Sequence, residues 1–120
     1  DLRSTRDNVL QPFERRLAPC GVALALPRGY VGFVLPRSGL AAKHGVSLVN
    51  APGLIDSDYR GEICAVLVNL DPREPFAIKR GDRIAQLVIM PVPPVSFEAT
   101  ADLPDTERGF GGFGSSGMGF

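Results

Sequence analysis

Prolines at positions 12, 19, 27, 36, 52, 72, 75, 91, 93 and 94 divide this chain before a long helix can form. Proline removes a backbone donor and fixes φ, so it ends helices and fits poorly inside sheets. Between the prolines lie short apolar segments rich in valine, leucine and isoleucine, at residues 22–26, 30–35, 46–49, 62–70, 76–79 and 83–92. Turn residues bound them, such as Asn50-Ala51-Pro52-Gly53 and Gly81-Asp82. Short branched segments at this spacing predict an all-β fold, a barrel or a sandwich. The one helix that the residues favour is short, over 39–44. It follows a Ser38 cap and is built from the good helix formers Leu40, Ala41, Ala42 and Lys43.

Segment 62–70 is apolar on both faces, with Ile63-Cys64-Ala65-Val66-Leu67-Val68 unbroken. Two readings follow: a barrel strand whose second face meets another subunit, or a sandwich-core strand. Beyond Pro93-Pro94 the spacing allows a last strand at 95–100 that crosses to a neighbour. The final twelve residues then contain six glycines and three phenylalanines. Ordering so much glycine costs entropy, so this stretch is expected to move until something holds it. The chain thus divides into a domain over 1–107 and a flexible glycine-rich arm over 108–120.

A chain of 120 residues supports one domain, and 44% apolar content is too high for a disordered one. A formal net charge of zero supplies no global field for nucleic acid or an anionic membrane, so neither is expected as a partner. An acidic ligand would need local arginines instead, and Arg37, Arg60, Arg83 and Arg108 offer them. Cys20 and Cys64 read as ordinary thiols of a reducing compartment, with a disulfide as the alternative. A single histidine, His44, excludes a multi-histidine zinc site. No apolar run approaches a membrane span and no secretory leader is visible, so a cytoplasmic location is expected.

Four polar stretches carry the chemistry: Pro36-Arg37-Ser38-Gly39-Leu40-Ala41, Asn50-Ala51-Pro52-Gly53-Leu54-Ile55-Asp56-Ser57-Asp58-Tyr59-Arg60-Gly61-Glu62, Gly81-Asp82-Arg83-Ile84-Ala85-Gln86-Leu87, and Arg108-Gly109-Phe110-Gly111-Gly112-Phe113-Gly114-Ser115-Ser116-Gly117. From the residues alone each has a plain reading. Asp56 is either a carboxylate capping a tight turn or a general base beside a water. Tyr59 is either a packing ring or a ligand contact, and Asn50 either a turn residue or an amide that reads a polar edge. The arm lacks the lysine of a P-loop, so it is either a flexible terminus or a phosphate cover.

In order and content these strings resemble four of the five motifs of the trimeric dUTP pyrophosphatases, or dUTPases. The resemblance implies a distorted jelly-roll β-barrel, a homotrimer with shared active sites, and hydrolysis of dUTP to dUMP and pyrophosphate. It implies that Asp56 activates the water that attacks the α-phosphate. Asn50, Gly53 and the backbone near Leu54 and Ile55 would read uracil, and Tyr59 would lie flat against the deoxyribose and exclude a 2′-hydroxyl. Arg37, Ser38, Gly39 and Gln86 would hold the phosphates. From the arm, Arg108 would reach the γ-phosphate, Phe113 would stack on uracil, and Gly112, Gly114, Ser115 and Ser116 would donate to the phosphates. Asp1-Leu2 matches the end of the family's first motif, Ala-Gly-x-Asp-Leu, which implies further chain upstream and an indirect role for Asp1 on Mg²⁺, through water. Asp58 is expected to pair with Arg60, Arg60 and Glu62 to brace the hairpin, and Asp82 and Arg83 to form a turn and an ion pair. Two rivals stand beside this reading. One is a dCTP deaminase of the same fold, for which Glu62 is the nearest base. The other is a binding or structural trimer without chemistry.

Overall fold

A computed structural model describes residues 1–119. Phe120, the last residue of the expected arm, lies outside the described residues. The elements are β1 (Leu2–Arg3), β2 (Asn8–Leu10), β3 (Arg15–Ala23), β4 (Tyr30–Leu35), α1 (Ser38–His44), β5 (Val46–Leu48), β6 (Gly53–Ile55), β7 (Glu62–Asn69), β8 (Phe76–Ile78) and β9 (Arg83–Pro91). They form three antiparallel sheets, ordered β1-β9-β4-β6, β2-β8 and β3-β7-β5. The architecture is all-β, as the punctuation predicts. Among the described residues the strand pairing does not close into a ring.

One apolar core joins the sheets. Leu10, Val46, Leu67, Ile78 and Ile84 are its largest fully buried side chains, and they come from β2, β5, β7, β8 and β9. Strand β7 shows how period-2 geometry sorts residues. Ile63, Ala65, Leu67 and Asn69 are buried, whereas Cys64, Val66 and Val68 on the other face are half-buried. Asn69 is the fully buried polar residue among the described residues, with Ser4 nearly so. Its amide Nδ2 donates to the carbonyls of Leu10 at 3.1 Å and Glu74 at 2.9 Å, and its Oδ1 accepts the Asp71 N–H at 2.9 Å. The Asp71 carboxylate in turn accepts the N–H groups of Glu74 and Arg73, which hold its pKa below the ordinary value.

Three boundaries differ from the sequence reading. The strand expected at 22–26 is instead β3, which starts at Arg15 and runs through Pro19. Proline is tolerated there because β3 pairs with β7 alone and leaves its other edge outside the ladder. The helix starts at Ser38, so Ser38 is not its cap. Arg37 holds that position in extended backbone, with no side-chain cap bond. No strand forms at 95–100, where the chain is exposed. No helix of the described residues is long and apolar enough to cross a membrane.

Candidate active site

The richest cluster of predicted residues lies where β6 leaves the core and turns into β7. Strand β6 is fixed by its register on β4, with Val34 opposite Gly53, Phe33 opposite Leu54 and Gly32 opposite Ile55. Ile55 is buried and Asp56, the next residue, emerges into solvent. Asp56 Oδ1 accepts the backbone N–H groups of Asp58 and Tyr59, both at 2.9 Å. The carboxylate therefore does cap its turn, as one plain reading held. Its second oxygen has no hydrogen-bond partner among the described residues.

Tyr59 folds back over the same turn. Its hydroxyl donates to the Glu62 carbonyl at 2.8 Å. Its ring covers Gly61 so closely that a Cβ there would lie 2.5 Å from the hydroxyl oxygen. Arg60 braces the turn by donating to the carbonyls of Ser57 at 2.7 Å and Tyr59 at 3.1 Å. The expected Asp58–Arg60 pair is not formed, because the guanidinium is used on these carbonyls instead. Glu62 reaches away from the hairpin, and its Oε1 accepts the Gly21 N–H at 2.9 Å.

Asn50, Gly53, Leu54, Ile55 and Tyr59 line one cleft of about 180 Å³. Its walls also take Leu17, Val34, Glu62, Ile63 and Cys64. The sequence reading did not assign Leu17 or Cys64 to a site. The available signal was the outward position of Cys64 in the β7 alternation, two residues after Glu62. The cleft is smaller than the ~300 Å³ at the low end of complete ligand sites. It is too small for a whole nucleotide.

A second cluster lies at the start of α1. Asp1 Oδ1 is 3.8 Å from Arg37 Nε, and Asp1 Oδ2 is 3.4 Å from Arg83 Nη1. Arg37 Nη1 donates to the Arg83 carbonyl at 3.1 Å, while its buried Nε has no hydrogen-bond partner among the described residues. Ser38 and Gly39 are exposed in the first helical turn. Gln86 faces Leu35 across the β4–β9 pair, two residues before Arg37. The Arg83 ion pair is thus formed, with Asp1, whereas Asp82 Oδ2 accepts the Lys79 N–H and closes a turn. Among the described residues no hydrogen bond or ion pair joins this cluster to the Asp56 hairpin.

The arm is apart from both. Arg108, Gly112, Phe113, Gly114, Ser115 and Ser116 make only local turns, such as Ser115 N–H to the Gly112 carbonyl at 3.1 Å. The Phe113 ring is fully exposed. Among the described residues no three His, Cys, Asp or Glu side chains cluster as a metal cage.

The cysteines are free thiols. Ala18 pairs with Ala65, both buried, and Pro19 pairs with Cys64. Alternation then turns Cys20 into the core and Cys64 outward, onto opposite faces of the sheet, and the disulfide alternative is not formed. Burial, followed by the proximity of Cys64, pushes the Cys20 thiol up to about 11.

Comparison with known proteins bears on the same residues. The dUTPase family model matches residues 1–117. The deoxyuridine 5'-triphosphate nucleotidohydrolase of Cutibacterium acnes is 60% identical over 118 residues, covering 98% of this chain and 78% of its own. That of Corynebacterium glutamicum is 58% identical over 117 residues, with the same two coverages of 98% and 78%. Among solved structures, a mutant dUTPase of Staphylococcus bacteriophage 80alpha with dUpNHpp superposes with a TM-score of 0.89 at 29% identity, covering 98% of this chain and 85% of that one. The dUTPase of Streptococcus mutans gives 0.74 at 28% identity, covering 81% and 80%. The match takes in all four polar stretches and the Asp1-Leu2 start together, and on that ground the chain belongs to the dUTPase family, enzymes that hydrolyse dUTP to dUMP and pyrophosphate.

Proposed function

We propose that Asp56 is the general base of this hydrolysis and that the cleft beside it receives the uracil and deoxyribose of dUTP. One observation carries the reading. Two backbone N–H groups grip Oδ1 and fix the carboxylate, while Oδ2 remains free at the surface of the turn. A carboxylate held this way can take a proton from water without losing its orientation. Asn50 supplies a donor and an acceptor to the pyrimidine edge, with Gly53 and the backbone of Leu54 and Ile55 completing the contact. Tyr59 covers the sugar. Arg37, Ser38, Gly39 and Gln86 bind the phosphates, the guanidinium by charge-assisted hydrogen bonds.

The arm from residue 108 is a separate unit that closes over the nucleotide, bringing Arg108 to the γ-phosphate, Phe113 to the base, and Gly112, Gly114, Ser115 and Ser116 to the phosphates. The body, residues 1–107, is the distorted jelly roll, three copies of which assemble as a homotrimer with sites shared between subunits. The small cleft and the lack, among the described residues of the arm, of long-range hydrogen bonds favour that assembly. Mg²⁺ fits the donor set only as an ion carried on the phosphates and water, because no protein cage is present among the described residues. Asp1 would act on it through water. When bound, the ion neutralises phosphate charge.

The test is pyrophosphate release from dUTP, dCTP, dTTP and UTP with Mg²⁺, for the native chain and Asp56→Asn. Asparagine keeps the Oδ1 acceptor, so the turn survives and only the base is lost. Release from dUTP alone, reduced ~10²–10⁴-fold in the variant, supports the reading. An unimpaired variant overturns the role of Asp56. Ammonia from dCTP would move the assignment to a deaminase, a role that the Glu62 carboxylate, bound to Gly21, is poorly placed to serve.

A further inference from the structure

We infer that Glu62 is a positioning residue for sugar selection: its carboxylate ties the Tyr59 anchor to strand β3. The inference rests on the reading of Tyr59 as the ring that covers the deoxyribose. Tyr59 is held at its tip by one hydrogen bond, to the carbonyl of Glu62. What fixes that carbonyl is therefore what fixes the ring.

Glu62 is the first residue of β7, where the ladder to β3 is irregular. Pairing jumps from Pro19–Cys64 to Ala23–Glu62, so β3 has two more residues than β7 in that interval. The jump leaves the Gly21 N–H without a strand partner, and Glu62 Oε1 takes it at 2.9 Å. Gly21 has φ +72°, in the region that favours glycine, and a Cβ there would meet Thr5 Cγ2 at 2.8 Å. Thr5 secures the bulge from its other side, because its N–H and hydroxyl both donate to the Pro19 carbonyl at 3.2 Å. The path from Thr5 through the bulge and the Glu62 carboxylate to the Tyr59 hydroxyl is continuous. A hydrogen bond to a charged acceptor is among the stronger kind, which suits an exposed anchor.

The experiment compares kcat/KM for dUTP and UTP in the full chain, for native, Glu62→Ala, Glu62→Gln, Tyr59→Phe and Tyr59→Ala forms. A general structural loss lowers both substrates alike; a loss of positioning lowers their ratio. The expected result for Glu62→Ala is a dUTP/UTP ratio reduced about fivefold, the worth of one hydrogen bond. Glu62→Gln, which keeps an oxygen acceptor for Gly21, restores the ratio to within about twofold. Tyr59→Phe lowers it as Glu62→Ala does, and the double variant loses no more than the larger single loss, because both changes break one path. If Glu62→Ala does not fold, Glu62→Asp takes its place, since its shorter carboxylate cannot reach Gly21. A native ratio in Glu62→Ala or Glu62→Asp, with the ratio lost in Tyr59→Ala, overturns the inference and leaves the Tyr59 reading intact. A native ratio in Tyr59→Ala overturns the Tyr59 reading and the inference with it.

Discussion

Replacing Asn69 by alanine removes the amide that locks three chain segments together, and its cost can be worked from the contacts. Asn69 is fully buried and makes three side-chain hydrogen bonds. Truncation leaves the carbonyl of Leu10, which is buried, with no side-chain partner, at a cost of about 1–3 kcal/mol. The bonds to Glu74 and Asp71 are only part-buried, so water can replace the amide there and each loss is about 0.5–1 kcal/mol. The sum is roughly 2–5 kcal/mol, a large share of the ~5–15 kcal/mol that holds a domain folded. Asn69→Asp is the sharper variant. It retains an acceptor for Asp71 but turns a carboxylate oxygen, in place of two donors, toward the carbonyls of Leu10 and Glu74. At pH 7 it should be less stable than Asn69→Ala. Burial raises the pKa of such a carboxyl, so its stability should recover as the pH falls and a proton is taken up. Urea unfolding followed by far-ultraviolet circular dichroism, at one fixed protomer concentration, measures both. A loss below about 1 kcal/mol in Asn69→Ala, or an Asn69→Asp protein as stable as native at pH 7, would refute the reasoning.

Gly61→Ala should fold, since the obstructing atoms belong to the Tyr59 side chain, but the ring must swing away from a Cβ only 2.5 Å off. The expected reading is a urea midpoint close to native with a reduced dUTP/UTP ratio of kcat/KM. Truncation after Glu107 should leave the circular dichroism spectrum and the urea midpoint of the body unchanged, because among the described residues the arm adds no strand and no long-range hydrogen bond, while dUTP turnover is lost. For Cys20 the folded pKa, about 11, lies above the ordinary 9.0, so the native state holds its proton longer than the unfolded chain. Stability from this group is intact below pH 9 and is lost as the pH rises toward 11, and the difference in unfolding midpoint between native and Cys20→Ala should fall over that window.

The sequence was most readable where one rule acts locally. Tyr30–Leu35 is bounded as expected, because Gly29 and Pro36 flank an uninterrupted branched segment. The inward face of β7 follows period-2 alternation to the residue. It was least readable where a distant strand decides. Pro19 lies inside β3 because no strand of the described residues pairs along that edge, a property of sheet order that the residues around position 19 do not carry. Ser38 is good cap chemistry, yet the helix begins one residue earlier and takes Arg37 in extended backbone. Glu62 and Gly21 are 41 residues apart, and their bond exists only because β3 carries a bulge. The motifs name the candidate residues, and among the described residues the single chain gathers them into two separate clusters, the hairpin around Asp56 and the group of Asp1, Arg37 and Arg83 at the start of α1.

The surface left exposed has a direction that bears on the rest. Val88, Ile89 and Met90 on β9, Tyr30 on β4 and Val92 just beyond are all substantially exposed, although neighbouring strands usually bury at least one face. The chain then runs on through Val95, Phe97 and Leu103 to the arm, exposing each of these side chains. Such contiguous apolar area on an ordered protein is normally covered by a partner. The polar half of the problem has the same form. The 180 Å³ cleft is too small for a whole nucleotide, and Arg37 keeps a buried Nε without a hydrogen bond, 3.8 Å from Asp1. One assembly step would answer both. If the apolar path from β9 is laid against a second copy, Arg108 and Phe113 travel with it, and burial of the linker becomes the free energy that delivers the arm. Trimer stability and dUTP turnover should then be lost together when Phe97 is replaced by serine, whereas truncation after Glu107 should cost turnover alone.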